Sequence, residues 1–276
     1  MVLTIVGTIG KKAGQMKTKS ELLLYRLSWT FDVIMSPTWR NLNDSFESWA
    51  YRNGCLRQIQ SLEAHEFVES MPQVGEGGNR VYRLTELGML TALGGRDPDV
   101  EWSRKWDEQW RMVIFDVPET ARHKREVLRM ALRKLHFGCL QRSVWISPHP
   151  VAGVEHEMKR LKVDAASLVL IDGKTCAGET ATDLVDAAWD FRRINRSWER
   201  LEEHLATFPS QPGVPFEEEL ARWSAEELTL WKTCAHCDPL LPKVLHPGGY
   251  QGPRTWKLRR KVLAALGKRL VAARRT

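Results

Sequence analysis

The segment from Met112 to Asp172 alternates strand-like and helix-like patterns, and this alternation restricts the fold more than any other feature of the chain. The apolar run Met112–Val117 is followed by Pro118, which is typical of a buried strand that ends at a proline. The helix predicted over residues 119–136 carries four apolar residues on its inner face: Leu128, Ala131, Leu132 and Leu135. A strand followed by such a helix predicts a sheet with helices packed on it.

Two further strands continue this pattern. The sequence predicts a strand over Gly138–Ser147 that ends at Pro148, a helix over about 151–161, and a strand over Ala166–Asp172. Together with a possible edge strand before residue 182, this β-α-β-α-β order is the split βαβ pattern of ferredoxin-like domains.

Helices and a hairpin are predicted on the N-terminal side of this domain. The predicted elements are, in order, helices over 18–41, 44–49 and Cys55–Val68, a turn at Gly75–Asn79, a strand over Arg80–Thr85 and a helix that begins at Thr85. The third helix has Leu56, Ile59 and Leu62 on its inner side. This order predicts a winged helix-turn-helix, whose third helix enters the major groove of DNA while the hairpin flanks it.

The third helix and the hairpin carry long polar side chains of the kind that read DNA. The candidate DNA-binding residues are Arg52, Asn53, Arg57, Gln58, Gln60, Ser61, Arg80, Tyr82 and Arg83. Arginine can pair with guanine through two donors, and glutamine or asparagine can pair with adenine. Ser61 and the hairpin residues suit phosphate or the minor groove. The alternative is a solvated face on a helical hairpin.

The Gly- and Pro-containing run Gly94–Pro98 predicts a domain boundary. After it, Trp102, Trp106 and Trp110 recur at a spacing of four, which predicts one aromatic face that packs the linker onto the next domain. Residues 182–276 read as three helices over 182–207, 215–232 and 254–273. The sequence therefore predicts an α+β protein with a winged helix-turn-helix over 18–98, a ferredoxin-like domain over 99–181 and a helical C-terminal domain over 182–276.

Positive charge is concentrated at the end of the chain. Nine Lys/Arg and no acidic residue lie between Arg254 and Arg275, whereas the net charge of the whole chain is only +7. The rest of the chain is therefore slightly acidic. A basic segment attracts the phosphates of nucleic acid or of a phosphorylated ligand. The alternative is a solvated amphipathic helix, whose apolar residues would be Leu258, Val262, Leu266 and Leu270 at a spacing of four.

The remaining features argue against several classes of protein. The five cysteines are an odd number, which is unlike a disulfide framework. The pair Cys234 and Cys237 would need further ligands, such as His204 or His246, to complete a zinc site, so no metal and no cofactor are predicted. No apolar run approaches the ~20 residues of a membrane-spanning helix. The apolar opening precedes its lysines, Lys11 and Lys12, which is the reverse of a secretory signal. We therefore expect a cytoplasmic protein without a membrane partner.

Three motifs resemble one family of regulators. They are the run Trp110–Glu119 with the arginines that follow it, the run Phe137–Pro148, and Asp238–Pro242. In these residues the chain is similar to the phenylacetate-degradation repressors, the PaaX-like regulators. The resemblance implies a homodimeric repressor that binds double-stranded DNA and is released by an aryl- or acyl-coenzyme A thioester. It also implies a middle domain similar to a small CRISPR-associated nuclease.

The chain departs from the family pattern at three places. Glu66 precedes Phe67 where the family has a glycine turn before an aromatic residue. The wing contains fewer arginines than is usual, and Gly249–Pro253 stands in place of a Trp-Pro-Gly motif.

The predicted ferredoxin-like domain carries the candidate effector-binding residues: Arg122, Arg125, Arg129, Arg133 and Trp145. The four arginines follow 3-4-4 spacing on one helix, and their planar guanidinium groups suit the phosphates of coenzyme A or of a DNA backbone. The alternatives are an exposed helix face for the arginines and core packing for Trp145. Asp116 ends a strand, where the related nuclease fold places a metal-binding aspartate, so a metal-dependent nuclease is the alternative function.

Overall fold

The computed structural model describes residues 18–34, 55–72, 80–150, 168–175, 178–207 and 216–273. These residues form helices and two antiparallel sheets, which confirms the α+β class. The predictions for residues 1–17 and for the helices over 44–49 and 151–161 lie outside the described residues. None of the helices in the described ranges combines the length and the apolar composition that crossing a membrane requires.

The chain divides by its contacts into two compact units. The first unit contains the described residues up to Asp97, together with Arg200–Lys232 and the residues from Arg254 onward, and the second contains Pro98–Glu199 and Thr233–Pro253. Residues of the helical C-terminal region therefore belong to both units. Contacts alone do not define domains, so the three-part division of the sequence stays a prediction.

The N-terminal part of the first unit is built around a small apolar core. Its elements are helix α1 (Thr18–Ile34), helix α2 (Leu56–Ala64), strand β1 (Val68–Pro72), strand β2 (Arg80–Leu84) and helix α3 (Glu86–Ala92). The core cluster consists of Leu23, Leu24, Leu27, Ile59, Leu62, Phe67, Val68, Leu84 and Ala92. Three helices and both strands thus bury one face each against the others.

The predicted third helix, Cys55–Val68, extends four residues too far at its C-terminal end. Helix α2 ends at Ala64, and Val68 is already the first residue of β1, which pairs antiparallel with β2. The predicted strand and helix after the hairpin are confirmed. Helix α3 begins after Thr85, whose side chain accepts a hydrogen bond from the Gly88 backbone at 3.0 Å and so caps the helix.

The central sheet lies in the second unit and has four antiparallel strands. The elements there are α4 (Pro98–Ser103), β3 (Trp110–Phe115), α5 (Arg122–Lys134), β4 (Gly138–Gln141), β5 (Val144–Ser147), β6 (Leu168–Gly173) and α6 (Ala181–Ala188). The strand order is β4-β5-β3-β6, and every neighbouring pair is antiparallel. Together with the helix between β3 and β4, this is the order expected of a split βαβ sheet.

Two details of the predicted sheet are wrong. The single strand predicted over Gly138–Ser147 is a hairpin of β4 and β5, which turns at Arg142 and Ser143 and has an irregular register between Cys139 and Gln141. The fourth strand of the sheet therefore comes from this hairpin. The residues described just before residue 182 form a helix cap at Thr180 and not an edge strand.

Helix α5 packs on this sheet with the predicted residues. Leu128, Ala131 and Leu132 are buried, and Leu135 packs against the cluster that they form with the sheet. By contrast, Trp102, Trp106 and Trp110 do not lie on one helix face, because α4 ends at Ser103 and Trp110 lies in β3. The rings of Trp106 and Trp110 nevertheless pack against each other, with their centres 5.2 Å apart. A spacing of four aligns side chains only when they belong to one helix or one strand.

Three further helices complete the two units: α7 (Phe191–Ala206), α8 (Phe216–Cys237) and α9 (Gly252–Ala273). The helix predicted over 182–207 is broken at Trp189 and Asp190 into α6 and α7. The buried face of α9 also differs from the predicted one. It is formed by Trp256, Arg259, Leu263 and Leu266, of which only Leu266 was predicted. Of the other predicted residues, Leu258 and Val262 are half-buried, and the side chain of Leu270 lies outside the described part of the chain.

Candidate nucleic-acid interface

Helix α2 has one apolar face and one polar face. Ile59 and Leu62 are buried in the core of the first unit, whereas Arg57, Gln60 and Ala64 are exposed. Because positions three and seven residues apart lie on the same side of a helix, the exposed residues form one stripe. Gln58 and Ser61 border this stripe and are half-buried. The two remaining candidates near this helix, Arg52 and Asn53, lie outside the described residues.

The end of α2 is closed by backbone hydrogen bonds of the Schellman type. The Phe67 N–H donates to the Leu62 carbonyl at 2.9 Å, and the Glu66 N–H donates to the Glu63 carbonyl at 2.9 Å. This geometry needs a left-handed residue between helix and strand, and Glu66 adopts it with φ of 63°. Glu66 stands where the PaaX-like regulators have a glycine, so the turn is retained here without its usual residue.

We expect the substitution Glu66→Gly to raise the free energy of unfolding by about 1 kcal/mol, because glycine adopts positive φ without the strain of a side chain. Thermal or urea unfolding measures this. The matched control is Glu86→Gly, since Glu86 is an exposed glutamate in the first turn of α3 and glycine should destabilise a helix there. Equal losses in the two variants would contradict a strained Glu66.

The hairpin is fixed by polar contacts that the sequence did not indicate. Glu69 lies opposite Arg83 and pairs with it at 3.0 Å, and the Ser70 hydroxyl donates to the Glu63 carboxylate of α2. Of the predicted wing residues, Arg83 is exposed and forms an ion pair with Glu69, and Tyr82 is half-buried against the core. Arg80 is the first residue of β2. An oppositely charged cross-strand pair can be recognised in a sequence. It was not predicted here because the helix was extended through Val68, which is the first residue of β1.

The predicted effector residues lie in the second unit, on and beneath α5. Two of the arginines hold loops: Arg125 donates to the Val117 carbonyl at 2.6 Å, and Arg129 donates to the Arg142 carbonyl at 3.1 Å. Arg129 also pairs with Glu126 at 2.8 Å. Arg122 is exposed.

Trp145 and Arg133 form one contact across this helix and the sheet. Trp145 is 1% exposed and belongs to the core cluster under α5, and the guanidinium carbon of Arg133 lies 5.5 Å from its ring centre. This is the position that core packing predicts for Trp145. Stacking on a ligand would require the ring to leave the core.

The candidates for other chemistry are dispersed. Asp116 is exposed just after β3. Cys234 is buried, and His246 contacts the Leu241 carbonyl at 2.9 Å through Nε2. Among the described residues, no three His, Cys, Asp or Glu side chains are grouped so that they could hold a metal ion.

The central segment of the chain has a recognisable family. Residues 103–185 match the family model described as the PaaX protein central Cas2-like domain. The second unit therefore contains a Cas2-like α+β domain. This match confirms the resemblance to PaaX-like regulators that the motifs in this segment carry, and it supports a regulator of transcription as the class of the protein.

Other comparisons add little to this assignment. An uncharacterized protein of Mycobacterium tuberculosis, Rv0674, is similar to this chain in structure, with a TM-score of 0.48 and 21% sequence identity over 80% of this chain and 84% of that chain. No curated protein matches the chain significantly.

Proposed function

We propose that this protein is a DNA-binding transcriptional repressor that reads duplex DNA through a winged helix-turn-helix in its N-terminal region. The observation that carries the proposal is the exposed stripe of α2, which presents Arg57 and Gln60 opposite a face anchored in the core. An antiparallel hairpin and a capped helix follow α2 directly. This is the element order in which a recognition helix lies in the major groove beside a wing. The PaaX family assignment supports the same function.

Each side chain of the stripe has a role that follows from its chemistry. Arg57 can donate two parallel hydrogen bonds to guanine, and Gln60 can pair with adenine. Ser61 and Gln58, at the border of the stripe, suit phosphate or sugar contacts. Arg52 and Asn53 precede α2 and belong to the same proposed surface, as do Arg80, Tyr82 and Arg83 of the hairpin.

We expect Arg57→Ala and Gln60→Ala each to weaken sequence-specific binding by about 1–3 kcal/mol, because each removes a base contact. Fluorescence anisotropy with the DNA upstream of the protein's own coding sequence, and with a random duplex of equal length, measures the effect. The ratio of specific to non-specific affinity should fall in both variants.

The matched control for this experiment is Arg192→Ala, an exposed arginine on α7 in the second unit. Its specificity ratio should equal that of the unmodified protein. If the two α2 variants behaved like this control, α2 would not be the reading helix.

The repressor is proposed to be a homodimer. In the described part of the sheet, β6 is an edge strand that pairs with β3 alone, and its side chains Val169, Leu170 and Ile171 are 53%, 36% and 40% exposed. An edge with exposed apolar side chains favours pairing with another chain. Sedimentation equilibrium tests this, and a monomer at micromolar concentration would contradict it.

The effector is proposed to be an aryl- or acyl-coenzyme A thioester whose phosphates contact the arginines of α5. Arg122 and Arg133 are exposed, and the guanidinium of each has five donors in a planar fork that suits phosphate oxygens. A ligand releases DNA only if it binds the DNA-free state of the protein more tightly than the DNA-bound state. Thermal-shift titration with coenzyme A esters tests the site, because a bound ligand raises apparent stability. A shift that is unchanged in Arg122→Gln/Arg133→Gln would place the ligand elsewhere.

The protein is proposed to act by binding and not by catalysis. Mg²⁺-dependent cleavage of nucleic acid that disappeared in Asp116→Asn would replace this proposal with the nuclease alternative.

A further inference from the structure

Helix α9 has a basic face opposite its buried face. Trp256, Arg259, Leu263 and Leu266 are at most 5% exposed. The exposed basic residues on the other side are Lys257, Arg260, Lys261, Lys268 and Arg269. Arg254, at the start of the helix, is paired with Glu202.

Three of these side chains lie in one line. Lys257, Lys261 and Lys268 are separated by four and seven residues, so at 100° per residue they point within about 40° of one another. With a rise of about 1.5 Å per residue, the line is about 16 Å long. Since duplex DNA carries one negative charge per ~1.7 Å of its axis, a row of this length faces several phosphates.

The basic face is held in place by buried contacts of the first unit. Arg259 donates to the Glu227 carboxylate at 2.6 Å, and its guanidinium lies 4.2 Å from the Trp231 ring centre and 5.8 Å from that of Tyr25. Tyr25 lies on α1, whose apolar side chains share a core with α2. Helix α9 and the proposed reading helix thus belong to the same compact unit.

We propose that the line of Lys257, Lys261 and Lys268, which we call the α9 lysine row, is a second DNA contact that binds the phosphate backbone without reading sequence. It rests on the proposed function and adds to it a surface that supplies affinity. Lysine is a compact point charge suited to phosphate. No acid lies between Arg254 and Arg275 to compete, and the rest of the chain has a slightly acidic balance, so this face carries the concentrated positive charge of the protein.

The test is the triple substitution Lys257→Gln/Lys261→Gln/Lys268→Gln in the full chain. Affinity for the upstream DNA and for a random duplex of equal length is measured between about 0.05 and 0.3 M salt. Because each neutralised phosphate contributes about 0.9 to the slope of log K against log salt, the slope should become less negative by about 2–3. The affinity for both duplexes should fall by the same factor, so the specificity ratio should not change.

The matched control is Arg192→Gln/Arg193→Gln/Arg196→Gln, which removes three exposed positive charges from α7 in the second unit. Its salt slope should equal that of the unmodified protein. Equal slopes for the lysine variant and the unmodified protein, or equal losses in the lysine and control variants, would overturn the proposal. Circular dichroism of each variant identifies a loss of DNA affinity that is caused by unfolding. If the triple variant is unfolded, the three single lysine substitutions are measured in its place.

The two proposals fail in different ways. If the unmodified protein prefers its upstream DNA but the lysine row leaves the slope unchanged, the second contact is wrong and the reading helix stands. If the unmodified protein binds both duplexes equally and the lysine variant still lowers the slope, the sequence-specific function is wrong and the second contact stands. If neither duplex is bound, both are wrong.

Discussion

Glu227→Gln should lower the free energy of unfolding by about 3–5 kcal/mol, because it removes one charge of a buried pair and leaves the other uncompensated. Glu227 is 0% exposed and Arg259 is 3% exposed. The Glu227 carboxylate accepts hydrogen bonds from Arg259 and from the Tyr25 hydroxyl, so it joins α1, α8 and α9. Burial, together with the charge of Glu227, raises the pKa of Tyr25 well above its usual value, which keeps the phenol protonated as the donor. Urea unfolding measures the loss.

The control is Glu226→Gln on the same helix. Its carboxylate is 65% exposed, so its removal should change stability little. The double substitution Glu227→Leu/Arg259→Met provides a second check, since it replaces both charges by apolar groups and should cost much less than the two single substitutions together. Additive losses would show that the two groups do not act as a pair.

The sequence predicted those elements whose signal is local. In α5, Leu128, Ala131 and Leu132 are buried as their spacing indicated. Thr85 caps α3, and the strand that precedes it ends where the alternation ends. Periodicity and capping depend on residues within one turn of each other, so they can be read without knowledge of the fold.

Other features depend on contacts or conformations that local patterns do not record. The turn between β4 and β5 uses Arg142 and Ser143, and no glycine, proline or asparagine marks it. Glu66 adopts a left-handed conformation that is usual for glycine, so the end of α2 was placed too late. The spacing of Trp102, Trp106 and Trp110 suggested one aromatic face, but α4 ends at Ser103. In each case the tertiary structure overrides a local preference.

The candidate interface was predicted in part. The exposed Arg57 and Gln60 and the buried Ile59 and Leu62 follow from the helical period of the sequence. The buried partners of α9 could not be predicted, because Glu227 is 32 residues from Arg259 and 202 residues from Tyr25. The apolar period Leu258, Val262 and Leu266 therefore suggested a different inner face. A buried arginine is rare unless it is paired, and no local pattern identifies its partner.

Gly88→Ala should lower the free energy of unfolding by about 3 kcal/mol or more, although alanine normally stabilises a helix by about 1 kcal/mol relative to glycine. A Cβ at position 88 would lie 2.0 Å from the Phe67 carbonyl oxygen and 2.9 Å from its carbonyl carbon. Both atoms belong to the backbone, so α3 or the turn after α2 must move. The same Phe67 carbonyl accepts a hydrogen bond from the Thr85 N–H at 3.1 Å, at the cap of α3. The substitution therefore disturbs the core that anchors the proposed reading helix.

Thermal unfolding measures this loss, and Gly248→Ala is its control, because a Cβ at position 248 would meet no atom within 4 Å. The control should keep the melting temperature of the unmodified protein. DNA affinity of Gly88→Ala should fall with its folded fraction and recover on cooling, because Gly88 supports α2 through Phe67 and is not itself part of the polar stripe. A melting temperature above that of the unmodified protein would mean that helix propensity outweighs the clash, and that α3 and the end of α2 are farther apart than the structure places them.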